Sequence, residues 1–264
     1  MGGLSIIIAI VLIFFYLLYV VLPLFASAKA TPMAEYAVPE LALGKTVLLE
    51  SEEQNEVAVR FTDTGNVIFF ELASGKILLT QAIRIPAGVQ VTSFAQSSLV
   101  SQGGVVYGLS DGTAILVEHN YKLTYPNNKR VVTPSLSYPL GEQPLVIDEN
   151  KAALEKIAVK AESDKTIIAA KTANTIRLVS FTKEQPLFAD EATTTRTAAI
   201  VEGTSKTIVD LLIDKEDRQL FLLDDEGLLS SYDISDKSTP KLKHQKNVIE
   251  AGQKVTSVTF LNGD

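Results

Sequence analysis

The chain has no cysteine, no tryptophan and only two histidines, His119 and His244. Without cysteine there is no disulfide, no thiolate metal site and no cysteine nucleophile. Two histidines far apart in sequence do not suggest a metal cluster or a histidine-based triad. Positive charge is also short: 24 Lys and Arg stand against 31 Asp and Glu, a net charge of -7. That balance argues against a nucleic-acid partner, which needs a basic face, and against docking on anionic lipid. Glycine-rich phosphate loops and metal-ligand spacings are missing as well, so neither an enzyme nor a cofactor is expected.

Charge is absent altogether from the first 28 residues. Residues 4–25 read LSIIIAIVLIFFYLLYVVLPLF, with Leu4, Ile10, Phe15, Tyr19 and Phe25 spaced along the run. As a helix the run reaches roughly 33 Å, enough for a hydrocarbon core of about 30 Å. A buried core helix is seldom apolar for so long. The triplet Ala26, Ser27, Ala28 has the small-x-small form of a signal-peptide cleavage site, but the run is longer than a signal core and has no basic residue before it. An uncleaved transmembrane helix over residues 1–28 is therefore the expectation, with a flank that offers no charge from which to read orientation. Residues 29–44 follow as a tether, in which Pro32 and Pro39 discourage regular structure.

From residue 45 the chain alternates short apolar runs with turn signals and shows no convincing amphipathic helix. Expected strands are 46–49, 56–61, 67–72 and 76–85; then 89–94, 104–109 and 114–119; then 156–160, 166–170 and 176–181; then 207–213, 218–223 and 228–234. The hairpin markers Gly65, Gly112, Asn174 and Gly227 are 47, 62 and 53 residues apart. Such residues suit the positive φ of tight hairpins, and four strands per ~40–50 residues is the spacing of propeller blades. Residues 85–94, IPAGVQVTSF, match residues 249–258, IEAGQKVTSV, at six of ten positions. Each copy closes one unit and opens the next. The expected fold is all-β: an incomplete WD40-like β-propeller over residues 45–264, about four blades plus one strand, behind a single N-terminal helix. Both ends read as cut, because the chain stops within an Asn-Gly turn signal at Asn262 and Gly263.

The span motif GGLSIIIAIVLIFFYLLYVVLP, the proline-containing tether and the closing VTSVTFLNGD together resemble the N-terminal part of the long-form phosphate ABC transporter permease of Gram-negative bacteria. That resemblance implies a WD40-like domain inserted after the first transmembrane helix and facing the periplasm from the inner membrane. It implies as partners a second permease subunit, ATPase subunits and a periplasmic phosphate-binding protein. No translocation residue falls within these positions, and the Trp-Asp marks of WD40 repeats are missing. The alternative is a self-contained anchored propeller that scaffolds envelope protein assembly. A propeller enzyme of the quinoprotein type lacks its tryptophan motifs here.

Candidate sites are few. The connection 121–141 contains three prolines and three tyrosines, and long loops often carry binding. Tyr125, Asn127, Lys129 and Arg130 are the expected partner-contact residues within it. The acidic turn 224–227 is expected to be a plain hairpin rather than a calcium loop, since the alternating ligand spacing is missing. The hydroxyl-rich run 193–197 is expected to be a surface loop, residues 241–246 a lysine-guarded edge strand, and His119 a surface residue.

Overall fold

The computed structural model describes every residue except 1, 26, 28–30, 33, 98–103, 174, 185–192, 202–206, 251 and 260–264. It forms two compact units, Met1–Tyr36 and Ala37–Asp264.

In the first unit, α1 (Gly2–Val21) runs into a 3-10 turn, Leu22–Phe25. The turn begins where Pro23 removes an N–H from the helical ladder. Leu4, Ile10, Phe15, Tyr19 and Phe25 are all exposed. The helix Gly3–Phe25 is long and apolar enough to cross a membrane.

The second unit is built of four antiparallel meanders. The first sheet is β1 (Thr46–Ser51), β2 (Val57–Thr62), β3 (Asn66–Glu71) and β4 (Ile77–Ala82). The second is β5 (Val91–Gln96), β6 (Gly104–Leu109), β7 (Thr113–Thr124) and β8 (Val131–Ser137), with the short β9 (Leu145–Val146) paired to the start of β7. The third is β10 (Lys156–Ala161), β11 (Lys165–Lys171), β12 (Ile176–Glu184) and β13 (Thr193–Val201). The fourth is β14 (Ile208–Ile213), β15 (Gln219–Asp224), β16 (Leu228–Asp233) and β17 (Lys241–Asn247). Within each sheet the four main strands are neighbours in sequence order and joined by hairpins, while β9 pairs out of order with β7.

The sheets stack face to face as consecutive blades. Because side chains alternate along a strand, each central strand serves two neighbours. Val57, Val59, Phe61, Val67 and Phe69 of the first blade meet Val105, Tyr107, Leu109, Ile115 and Val117 of the second. The intervening Val106, Ala114 and Leu116 meet Ile157, Val159, Ile168, Ala170, Val179 and Phe181 of the third. Ala158, Ile167, Ala169 and Leu178 then meet Leu211, Ile213, Leu220 and Leu222 of the fourth. Burial on both faces explains why β2 and β6 are buried at every position. The outer β17 is exposed at every position, a strand whose lysines guard a free edge. The fold is thus a run of four propeller-type blades behind one apolar helix.

Several details differ from the sequence expectation. The run 193–197 is part of the outer strand β13, because its threonines suit a strand that faces water. Asn174 lies outside the described residues. Gly65, Gly112 and Gly227 do take positive φ, at 80°, 79° and 85°. The strand expected to open a fifth unit is not formed among residues 252–259. There Val255 N–H reaches Asp225 O at 3.4 Å. The two copies of the repeat are nonetheless placed alike. Ile85 lies against the Gly65 turn and Ile249 against the Gly227 turn.

The last residues of the expected tether belong to the second unit. The 3-10 turn Leu41–Leu43 brings Leu43 onto Ala58, Ile68 and Phe70, on the face of the first blade turned away from the second. Arg60, 1% exposed, lies on that face. Its Nη1 donates to Pro39 O at 3.1 Å and Glu40 O at 2.9 Å, its Nη2 to Gly44 O and its Nε to Thr46 Oγ1 at 2.7 Å. Thr64 Oγ1 and Asn66 Nδ2 both donate to Leu43 O.

Candidate interaction arm

The second blade carries the feature best suited to contact. β7 has 12 residues, whereas most strands of this unit have six. It pairs with β6 only from Ala114 to Glu118. From His119 to Thr124 it pairs with β8 alone, Thr124 opposite Val131 and Glu118 opposite Ser137. The far half of this hairpin is therefore a two-stranded arm. The expected long loop 121–141 is corrected here: most of it is strand. The alternation was obscured because Pro134 sits within β8, where an outer strand tolerates a missing N–H.

The arm closes with Tyr125 and the 3-10 turn Pro126–Asn128, in which Asn127 and Asn128 have φ of 51° and 59°. Asparagine enters this left-handed region more readily than other residues with a Cβ. Lys129 N–H then donates to Pro126 O at 3.0 Å. All four sequence-derived contact residues meet at this tip. Tyr125, Asn127 and Lys129 are exposed. Arg130 is only partly so, because its guanidinium pairs with Glu56 of the β1–β2 turn. In the same turn the Glu52 carboxyl is lowered. Slight burial pushes it up, but the backbone N–H groups of Gln54 and Glu56 and the charge of Arg130 outweigh that.

The base of the arm is braced against the first blade. Tyr121 meets Phe69 edge to face with centroids 6.1 Å apart, a favoured aromatic geometry. Val132 and Leu136 pack on the core shared by the first two blades. His119 is buried, not at the surface as its neighbour Glu118 suggested, because its ring packs against Phe61 and Tyr121. His119 Nε2 lies 3.1 Å from Glu50 Oε2, and Gln96 Nε2 donates to Glu50 Oε1. An imidazole bonded to a carboxylate donates from that nitrogen, which leaves Nδ1 as a buried acceptor without a partner among the described residues.

Burial holds the His119 imidazole below its ordinary range, while the hydrogen bond and charge of Glu50 pull it up more weakly. The unfolded chain then binds a proton near the ordinary pKa of about 6.5 that the folded chain accepts only at lower pH. Stability is expected to fall as pH drops through that window, by at most about 1.4 kcal/mol per pH unit for one proton. His119→Gln should flatten the slope of unfolding free energy between about pH 7 and pH 5. An unchanged slope in the variant would assign the acid sensitivity elsewhere.

The remaining candidates are structural. Asp224 Oδ1 accepts from the N–H groups of Glu226 and Leu228, a plain hairpin turn. Among the described residues no group of three His, Cys, Asp or Glu side chains is placed to hold a metal ion. The sequence reading missed Arg60 and Glu50. For Arg60 a signal existed: it shares a strand face with Ala58, where a charge among apolar residues calls for a dedicated partner.

No protein-family model matches the sequence, and no curated protein matches it. Among solved structures, the chain is similar to the Nup170 N-terminal domain in its Chaetomium thermophilum complex with Nup53. That match has 12% identity and a TM-score of 0.44 over 78% of this chain and 29% of the other. It is also similar to the WD40 domain of SCAP from fission yeast, with 12% identity and a TM-score of 0.41 over 77% of this chain and 42% of the other. The chain thus spans less than half the length of either solved structure.

Proposed function

We propose that this chain is the membrane-anchored propeller region of a permease subunit in a binding-protein-dependent phosphate importer. The observation that supports it is the joining, in one chain, of the apolar helix Gly3–Phe25 to a stack of four-stranded blades through a proline-containing link. This is the layout implied by the sequence resemblance. In this reading the helix lies in the bacterial inner membrane and the blades stand in the periplasm. A second permease subunit, ATPase subunits and the periplasmic phosphate-binding protein are the partners. The blades are not an enzyme; they present an arm and outer strand edges for contact.

The test is capture of the native protein from solubilised membranes, together with phosphate uptake at limiting phosphate. Co-purification of the permease partner and the ATPase is expected, with a several-fold loss of uptake when the region coding for residues 45–259 is removed in frame. Recovery of envelope assembly proteins instead, with uptake unchanged, would favour the self-contained scaffold and overturn the transport reading.

A further inference from the structure

The outer strand of a blade leaves one row of backbone N–H and C=O groups without a partner in its own sheet, and proteins blunt such edges with charge, proline or a bulge. Three of the four outer strands do so here. β4 has a bulge where it pairs with Phe69 and Phe70, β8 contains Pro134, and β17 has both a bulge and three lysines. β13 has none of these devices. It keeps one regular register over nine pairs, from Ile176 opposite Val201 to Glu184 opposite Thr193. Its sequence, TTTRTAAIV, is rich in β-branched residues, which favour extended pairing. Its one charge is tied down on the second blade: Arg196 Nε donates to Val146 O at 3.1 Å and Nη1 to Glu149 Oε1 at 3.2 Å. Among the described residues no backbone group outside β12 bonds to the backbone of β13. Ile200, 57% exposed, is the one large apolar side chain of the third blade that stands in water among those residues.

We infer that β13 pairs antiparallel with β13 of a second copy of this chain, which continues the third blade into one sheet shared by two copies. The strand is complementary to itself. Its first half is hydroxyl-rich, Thr193–Thr195, and its second half aliphatic, Ala198–Val201. Antiparallel copies bring each hydroxyl half against the aliphatic half of the other. With the two-fold axis at Thr197, all nine residues find a partner: Thr197 meets Thr197, Arg196 meets Ala198, Thr195 meets Ala199, Thr194 meets Ile200 and Thr193 meets Val201. Threonine opposite threonine is a favourable cross-strand pair, and no like charges stand opposite each other. An axis at Arg196 would instead oppose two guanidiniums. In the Thr197 register the exposed Ile200 is covered by the Thr194 methyl of the second copy. Each copy has one such edge, so the contact closes at two copies and does not propagate into a fibre. A single strand pair buries less than an obligate interface, so the dimer dissociates and its population rises with concentration. The inference rests on the second unit alone and requires neither the anchor nor the transport reading.

The chain contains no cysteine, so Thr197→Cys introduces a single thiol. The full-length variant is oxidised in detergent micelles at rising protein concentration. Most of it should link into a dimer that reductant separates, since residues opposite each other in an antiparallel pair have Cβ atoms about 4.5–5.5 Å apart. Thr195→Cys alone sets the two thiols roughly 14 Å apart and should stay unlinked. Mixed with Ala199→Cys, its opposite in this register, it should link. The mixture also serves if Thr197→Cys does not fold. Ala198→Lys added to Thr197→Cys sets an ammonium opposite Arg196 and should reduce linking several-fold, whereas Ala198→Glu should preserve it. Absence of the link in both the Thr197→Cys chain and the mixture would overturn the inference. So would equal linking of Thr195→Cys alone, the sign of random collision, or linking that Ala198→Lys leaves unchanged. A dimer by mass that does not link at position 197 would overturn it too, because the contact would then lie elsewhere, as in the apolar helix. In native membranes, linkage of Thr197→Cys to a different protein and not to a second copy would give the edge another partner and reject this one.

Discussion

Arg60→Ala is expected to lower stability by about 2–4 kcal/mol, because several hydrogen bonds from one charged donor, each contributing about 1.5–3 kcal/mol, are lost together and not additively. Arg60 donates to three backbone carbonyls and to Thr46 Oγ1 from a position 1% exposed. Truncation leaves Pro39 O, which is buried, without a donor, and removes the cation that ties Glu40 O, Gly44 O and Thr46 Oγ1 to the first blade. It also frees Leu43 from Ala58, Ile68 and Phe70 and so exposes one face of the first blade. For a domain of this size each kcal/mol moves the unfolding midpoint by about 2–4 °C, so a shift of roughly 10 °C is expected. Arg60→Lys should recover part of the loss, since one ammonium cannot span carbonyls that a planar fork reaches together. Limited proteolysis supplies a second readout: cleavage within residues 39–44 should appear in Arg60→Ala and be absent in the parent. A midpoint within about 1 °C of the parent and an unchanged digestion pattern would show that this segment is not held by Arg60.

Gly112→Ala should cost about 2–4 kcal/mol, more than a positive φ alone imposes. The φ of 79° adds about 1–2 kcal/mol for any residue with a Cβ. The larger contribution is steric. A Cβ at this position would stand 2.8 Å from Asp148 O, 2.9 Å from Lys151 Cα and 3.2 Å from Ala152 O, all backbone atoms. They cannot move easily, because the N–H groups of Ile147 and Asp148 both donate to Gly112 O and Asp148 is buried against Arg177. Overlap of this kind is among the few causes of large single-site losses. Gly88→Ala is the control. Its φ is 81°, but nothing lies within 4 Å of the added Cβ, so only the conformational cost of about 1 kcal/mol should remain. Comparable losses at the two positions, measured by denaturant unfolding, would rule out the steric explanation.

The blades were legible because alternation and turn chemistry act locally. EVAVRF, the Thr-Asp-Thr-Gly turn and VIFFEL declare a hairpin without help from the rest of the chain. Legibility failed where the outcome depended on a distant partner. The hairpin beyond His119, residues 120–137, looked like a loop, since Lys122, Asn127, Asn128 and Pro134 carry weak strand signals. It is strand because Tyr121, Val132 and Leu136 find apolar surface on the first blade. His119 looked exposed because the residues beside it are polar. Its burial comes from Glu50 on β1 and Phe61 on β2, 69 and 58 positions earlier.

The sequence by itself determined the apolar helix, the hairpin at the centre of each of the first two blades and of the fourth, the placement of three hairpin glycines and the absence of thiol chemistry. Each follows from residue type and near-neighbour spacing. Only the tertiary structure decided that the end of the tether is an integral cap, that the second blade extends an arm across the first, and that Arg60, Glu50 and His119 are interior groups. Those outcomes rest on hydrogen bonds and contacts between residues 14 to 69 positions apart. Their energy depends on excluding water from both partners at once, and no local pattern of residue types encodes that.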